Sequence, residues 1–145
     1  MNRVIVGLVG QICAGKSAVA EAFRRRGAEV YDADECVHRL YRQPEVIAAV
    51  KQKFGQEVLD AEGQVDRRAL GKVVFSDPAR LKTLTGEIIY PRTGRAIEEA
   101  IKKFRGSNAP MLVLDAPTLF ESGRSSICDH IVFLSAPLER RKEWA

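Results

Sequence analysis

Short apolar runs alternate with amphipathic stretches along most of this chain. Val4-Ile5-Val6-Gly7-Leu8-Val9 is an unbroken apolar segment bounded by glycine, the pattern of a strand buried on both faces of a parallel sheet. After a glycine-rich loop, Val19, Ala22 and Phe23 share one helical face while Glu21, Arg24 and Arg25 lie elsewhere, which predicts a helix that stops at Gly27. Ala28 to Tyr31 predicts a second strand, ending in Asp32-Ala33-Asp34, with a helix opening near Asp34 and continuing past Leu40. Pro44 predicts the start of another helix through Val50 to Phe54, and Gly55 to Gln64 reads as a polar connector or small hairpin.

The middle of the chain reads as helical. Arg67 to Phe75 predicts one helix, Ser76-Asp77-Pro78 a stop and restart, and a further helix runs from there towards Ile89. Pro91 predicts the start of the next, with Ile97, Ile101 and Phe104 on one face and Gly106 as its end. Met111-Leu112-Val113-Leu114-Asp115 and His130-Ile131-Val132-Phe133-Leu134 predict a third and fourth strand, and a last helix begins near Pro137. Strands alternating with helices imply an α/β fold built on an open parallel sheet flanked by helices.

Length and composition narrow the classes. At 145 residues and 46% hydrophobic, the chain can bury the core of one ordinary domain. Its sequence contains no apolar stretch long enough to cross a bilayer and no secretory cleavage pattern, so the expectation is a soluble cytoplasmic protein without a membrane partner. Cys13, Cys36 and Cys128 are odd in number and widely spaced, which argues against disulfides and zinc. A net charge of +4 and a pI near 9.1 favour anionic partners, either nucleic acid or small phosphorylated molecules. The dense run Arg24-Arg25-Arg26 closes a helix, where cations offset the dipole, and no aromatic platform is interleaved with the positive charge, so nucleic acid is not the expected partner. His38 and His130 are isolated and read as surface or strand-end residues.

The chemistry concentrates after the first strand. Gly10-Gln11-Ile12-Cys13-Ala14-Gly15-Lys16-Ser17 satisfies the phosphate-loop pattern G-x-x-x-x-G-K-[ST], with a strand predicted before it and a helix after it. Average residue usage gives that pattern a chance of about 0.5% in a chain this long, and the flanking elements lower it further. Glycines let the backbone curl so that amides face inward, and the helix N-terminus adds partial positive charge. The expected ligand is a nucleoside triphosphate: Lys16 reaches the β- and γ-phosphates, and the Ser17 hydroxyl ligates the Mg²⁺ that bridges them. Asp32 and Asp34 follow the second strand and Asp115 ends the third, at the carboxyl edge where open parallel sheets bind ligands. Each of the first two could instead be a helix cap. Cys13 reads as a loop filler without catalytic meaning.

Taken in order, Val6 to Ser17, Gly27-Ala28-Glu29-Val30-Tyr31-Asp32-Ala33-Asp34, Arg67-Arg68-Ala69-Leu70 with Phe75, and Asp115-Ala116-Pro117-Thr118-Leu119-Phe120-Glu121 resemble the dephospho-CoA kinase family over nearly the whole chain. The resemblance implies transfer of the ATP γ-phosphate to the ribose 3′-hydroxyl of dephospho-CoA, the last step of coenzyme A synthesis, with Mg²⁺ present. It implies that Gly10 to Ala18 bind ATP, with Lys16 catalytic and Ser17 on the metal. Asp34 matches the catalytic aspartate that takes the hydroxyl proton, and Asp34, Arg68, Tyr90, Pro91 and Leu119 are the expected substrate contacts. A helical CoA-binding insertion is expected over about Val37 to Phe104 within a single phosphate-loop kinase domain, 1–145.

Departures from the family pattern accompany this. Tyr90-Pro91 stands where His-Pro is usual, Gly10-Gln11 where Gly-Gly is usual, and Ala18 where threonine is usual. The family continues into an arginine-bearing lid, a strand and a helix, so a chain ending at Trp144-Ala145, with Arg140 and Arg141 where the lid would begin, is expected to lack them, being either cut short or natively short. Two rival readings are another nucleoside or nucleotide kinase and a non-catalytic nucleotide-binding relative without the lid.

Overall fold

The computed structural model describes residues 3–11, 14–116 and 123–144. The chain divides into two compact units, Met1–Ala33 with Ile97–Ala145, and Asp34–Ala96.

The first unit is built on a four-stranded parallel sheet of β1 (Val4–Gly10), β2 (Glu29–Asp32), β3 (Met111–Asp115) and β4 (His130–Leu134), in the order β2-β3-β1-β4. This is the open parallel sheet that the apolar runs predict. Period-two geometry sends alternate residues to opposite faces. On one face Leu8, Val30, Val113, Val132 and Leu134 pack with Val19, Ala20 and Phe23 of α1 (Lys16–Arg25). On the other, Ile5, Tyr31, Leu112 and Leu114 pack with Ile97, Ile101 and Phe104 of α6, whose bounds are Tyr90–Arg105. β1 and β3 therefore lie between two apolar layers, which is why their sequences show no polar alternation. β4 lies at the edge, and the side chains it directs away from α1 are bare: Ile131 is 39% and Phe133 62% exposed.

Helix ends are closed by identifiable chemistry. The amide of Gly27 (φ 93°) donates to Arg24 and that of Ala28 to Phe23, a Schellman pair that only a residue tolerant of positive φ completes easily. At the end of α6, Arg3 donates to the carbonyls of Phe104, Arg105 and Ala109, and its guanidinium lies 4.3 Å from the Phe104 ring centroid. Asp129 extends the β1 ladder by side chain as well as backbone: its Oδ2 accepts from Ile5 N and its own amide donates to Ile5 O, each at 2.7 Å. Cys36 and Cys128 are free thiols, and burial together with the Asp129 charge pushes the Cys128 pKa up.

The second unit is helical. α2 (Ala33–Leu40) leads into it, followed by α3 (Pro44–Phe54), α4 (Arg67–Val74) and α5 (Pro78–Thr83). Val46, Val50 and Phe54 form the buried stripe of α3, which packs on a π-helical segment, Leu84–Ile89. The stretch 55–66 forms a short 3₁₀ turn, Gln56–Val58, and a small hairpin closed by a Leu59–Val65 bridge, with Asp60 Oδ1 accepting the Glu62 and Gln64 amides.

One boundary differs from the sequence expectation. Pro91 does not open a separate helix: α5, the π segment and α6 are continuous from Pro78 to Arg105. The widened turn explains how proline is carried inside it. Proline lacks an amide and its ring crowds the carbonyl four residues back, and a π turn relieves both. The Tyr90 amide reaches back five residues to Thr85 O, and the Arg92 guanidinium satisfies the Ile88 carbonyl at 3.0 Å. No helix among the described residues is long and apolar enough to cross a membrane. A further helix, α7 (Leu138–Trp144), follows β4.

Two stability outcomes follow. Leu114, with no exposed surface, should cost about 2–5 kcal/mol on truncation to alanine, whereas Phe133→Ser should stay within about 0.5 kcal/mol, both read by urea denaturation. Arg3→Ala should destabilise by about 1–2 kcal/mol, because the α6 carbonyls lose a charged donor, and Arg3→Lys should recover only part of that loss in calorimetry.

Candidate functional site

β1, β2 and β3 all run in the same direction, so their carboxyl ends meet at one edge of the sheet, and the chemistry of the first unit collects there. Gly10 closes β1 opposite Leu134, and a Cβ at Gly10 would sit 3.1 Å from Leu134 Cβ and 3.2 Å from its carbonyl oxygen. Glycine here answers a close approach of two backbones. The next residue is tied to the same neighbour: the Gln11 amide donates to Leu134 O at 3.1 Å, and its side-chain Oε1 accepts the Ala136 amide at 3.3 Å. Glutamine at this position fastens the loop entrance to the segment after β4.

The Ala14 amide donates back to Gln11 O at 3.1 Å. Gly15 then adopts φ 86°, ψ 21°, with open space around the position of a Cβ, so backbone conformation rather than crowding demands glycine. α1 begins immediately afterwards at Lys16. Its end carries no side-chain cap and no acidic residue in the first turn. By contrast α4 and α5 are capped by Asp66 and Asp77, each accepting two amides. The first-turn amides of a helix have no partners within it. Together with the positive end of the dipole, these of α1 make an anion site.

Lys16 points from that turn to Asp115, and the ammonium donates to Asp115 Oδ1. The carboxylate is 7% exposed and the ammonium side chain 21%, so the pair is buried on one side and open on the other. Asp115 ends β3 in register with both Leu8 of β1 and Asp32 of β2. Two carboxylate-bearing residues on adjacent strand ends thus face the loop edge with one lysine. Ser17 and Ala18 are exposed in the first turn of α1.

The expected acceptor-side residues lie in the other unit. Asp34 is exposed in the first turn of α2, one position past its first residue, so it is not the residue that caps the helix. Arg68 is exposed at the second position of α4, Tyr90 half-buried at the junction of the π segment with α6, and Pro91 exposed beside it. Ile12, Cys13 and Leu119 lie outside the described residues. The pairing of Lys16 with Asp115, and the Gln11 staple, escaped the sequence reading. Both connect residues about a hundred or more positions apart, and only the strand register reveals them.

Residues 4–143 match the dephospho-CoA kinase family. The chain is 37% identical over 139 residues to the dephospho-CoA kinase of Symbiobacterium thermophilum, covering 95% of this chain and 58% of that protein. It is 37% identical over 139 residues to the dephospho-CoA kinase of Bartonella quintana, covering 96% of this chain and 70% of that protein. A crystal structure of a Thermus thermophilus protein superimposes with a TM-score of 0.81 at 34% identity, over 99% of this chain and 71% of that one. The chain thus spans between about three fifths and seven tenths of the length of these relatives. By sequence match across nearly its full extent, the chain belongs to the dephospho-CoA kinase family.

Proposed function

We propose that this chain transfers the γ-phosphate of ATP to the 3′-hydroxyl of dephospho-CoA. The observation that carries the reading is the uncapped α1 N-terminus, entered through left-handed Gly15, with Lys16 held by Asp115 beside it. That is a site for a polyphosphate, in a member of a family of kinases.

Entry of ATP offers Lys16 a stronger anionic partner than Asp115, and the ammonium then follows the phosphates. Magnesium suits the donor set. A hydroxyl and one or two carboxylates at the loop edge match a cation bound mainly by phosphate and water with few protein oxygens. Ser17 would supply a hydroxyl to it, with Asp115 and Asp32 acting on its water shell. When bound, the ion would offset the negative charge that develops on the phosphates.

Asp34 is the proposed base. Its carboxylate accepts the proton of the acceptor hydroxyl while that oxygen forms a bond to the γ-phosphorus and the bond to the β-phosphate oxygen breaks, leaving ADP. Tyr90, Pro91, Arg68 and Leu119 are proposed to hold the acceptor, with cytoplasm as the place of action.

Two kinetic outcomes test this. Lys16→Met should lower transfer by at least about a hundredfold, and chelation of divalent ions should abolish it, in a coupled ADP-release assay with dephospho-CoA as acceptor. Asp34→Asn should bind ATP with wild-type affinity in calorimetry while transfer falls about 10²–10⁴-fold. A fully active Asp34→Asn would remove the base assignment, and preference for adenosine or AMP over dephospho-CoA would move the chain to a different acceptor class.

A further inference from the structure

Within the helical unit the sequence reading singled out Arg68, yet the structure orients its neighbour. Arg67 opens α4 with its guanidinium 5.3 Å from the centroid of the Tyr41 ring and its Nη1 3.0 Å from His38 Nε2. A guanidinium only donates, so Nε2 is the acceptor in this contact. His38 and Tyr41 are three positions apart on one helical turn, which the Tyr41 amide continues by donating to Val37 O. The ring fixes the plane of the guanidinium and the imidazole fixes one edge. Tyr41 is itself 9% exposed, and burial raises its hydroxyl pKa against the opposing pull of Arg67. The phenol therefore stays neutral and supplies no compensating charge.

Several exposed cations of this chain pair with acids: Arg24 with Glu21, Arg39 with Glu35, Lys53 with Glu87 and Arg80 with Asp77. Among the described residues no carboxylate pairs with Arg67. Nor do the amides at the α4 end compete for an anion, since Asp66 Oδ1 already accepts those of Arg68 and Ala69 at 3.1 Å. What remains is a charged fork held in place by an aromatic face and an imidazole, with most of its five N–H groups uncommitted. A fork of that kind matches paired phosphate oxygens, which a lysine ammonium cannot address with two parallel bonds.

We propose that Arg67, held by His38 and Tyr41, is a binding residue for the diphosphate of the acceptor. The identity of the anion rests on the dephospho-CoA reading; the existence of an anion subsite does not.

The chain has only two histidines, so the His38 imidazole is a local reporter, assigned in NMR spectra by His38→Gln. Dephospho-CoA should shift the His38 signal saturably, whereas ATP, bound at the phosphate loop, should leave it in place. Calorimetric affinity for dephospho-CoA should fall roughly tenfold or more in Arg67→Met, as expected for loss of charged hydrogen bonds. The same affinity should change within about twofold in Lys72→Met, an exposed cation further along α4. Arg67→Lys keeps the charge without the fork; it should remain folded by thermal melt and still bind dephospho-CoA more weakly than the wild type. Unchanged affinity in folded Arg67→Met or Arg67→Lys overturns the proposal while leaving the functional reading intact. Should the wild type show no affinity for dephospho-CoA, that reading fails, and inorganic pyrophosphate decides the subsite. A His38 shift that disappears in Arg67→Met sustains it, and no shift overturns it.

Discussion

Parallel pairing of β1 with a neighbour on each side is the constraint on which the loop edge depends. A strand flanked by β3 and β4 has no freedom in where it ends, because Leu8 is fixed opposite Asp115 and Gly10 opposite Leu134. Three distant segments are thereby delivered to one edge: the turn into α1, the acid at the end of β3, and the residues after β4 that Gln11 grips. Parallel direction puts all their carboxyl ends on the same side, so the site is a by-product of sheet geometry before any ligand is considered.

The electrostatics of that edge are balanced without being closed. A carboxylate as buried as Asp115 needs a cation, and Lys16 supplies it. The lysine in turn remains partly open to solvent, so its ammonium is available for exchange between partners. A polyphosphate entering the α1 turn competes for a lysine already ordered at the right place, and it bears little of the entropy of ordering that side chain. The helical unit achieves order differently: Arg67 is positioned by an aromatic face and an imidazole in place of a counter-charge.

Much of this was legible before the structure. The unbroken apolar runs at Val4 to Val9 and Met111 to Leu114 announce strands covered on both faces, and the Gly10–Ser17 pattern between a strand and a helix announces the loop. The helix start after Asp77 was legible because Ser76-Asp77-Pro78 is a local stop and restart signal. What was not legible depends on contacts across the fold or on unusual backbone. Pro91 read as a start signal because proline inside a helix is costly, and a π turn that removes the cost leaves no pattern of its own. The roles of Arg3 and Asp129, which close the end of α6 and the edge of β1, are set by partners about a hundred or more positions away. Arg67 and Arg68 are chemically identical in the sequence, and only the spacing of His38 and Tyr41 on a neighbouring helix distinguishes them.

β4 carries a further consequence. Its outward pair, Ile131 and Phe133, forms a small greasy strip at a sheet margin. Adhesion through such a strip opposes the mutual repulsion set by the net charge of +4. Raising ionic strength screens the repulsion that keeps particles apart and strengthens adhesion between such strips, so concentrated salt works against dispersion from both directions.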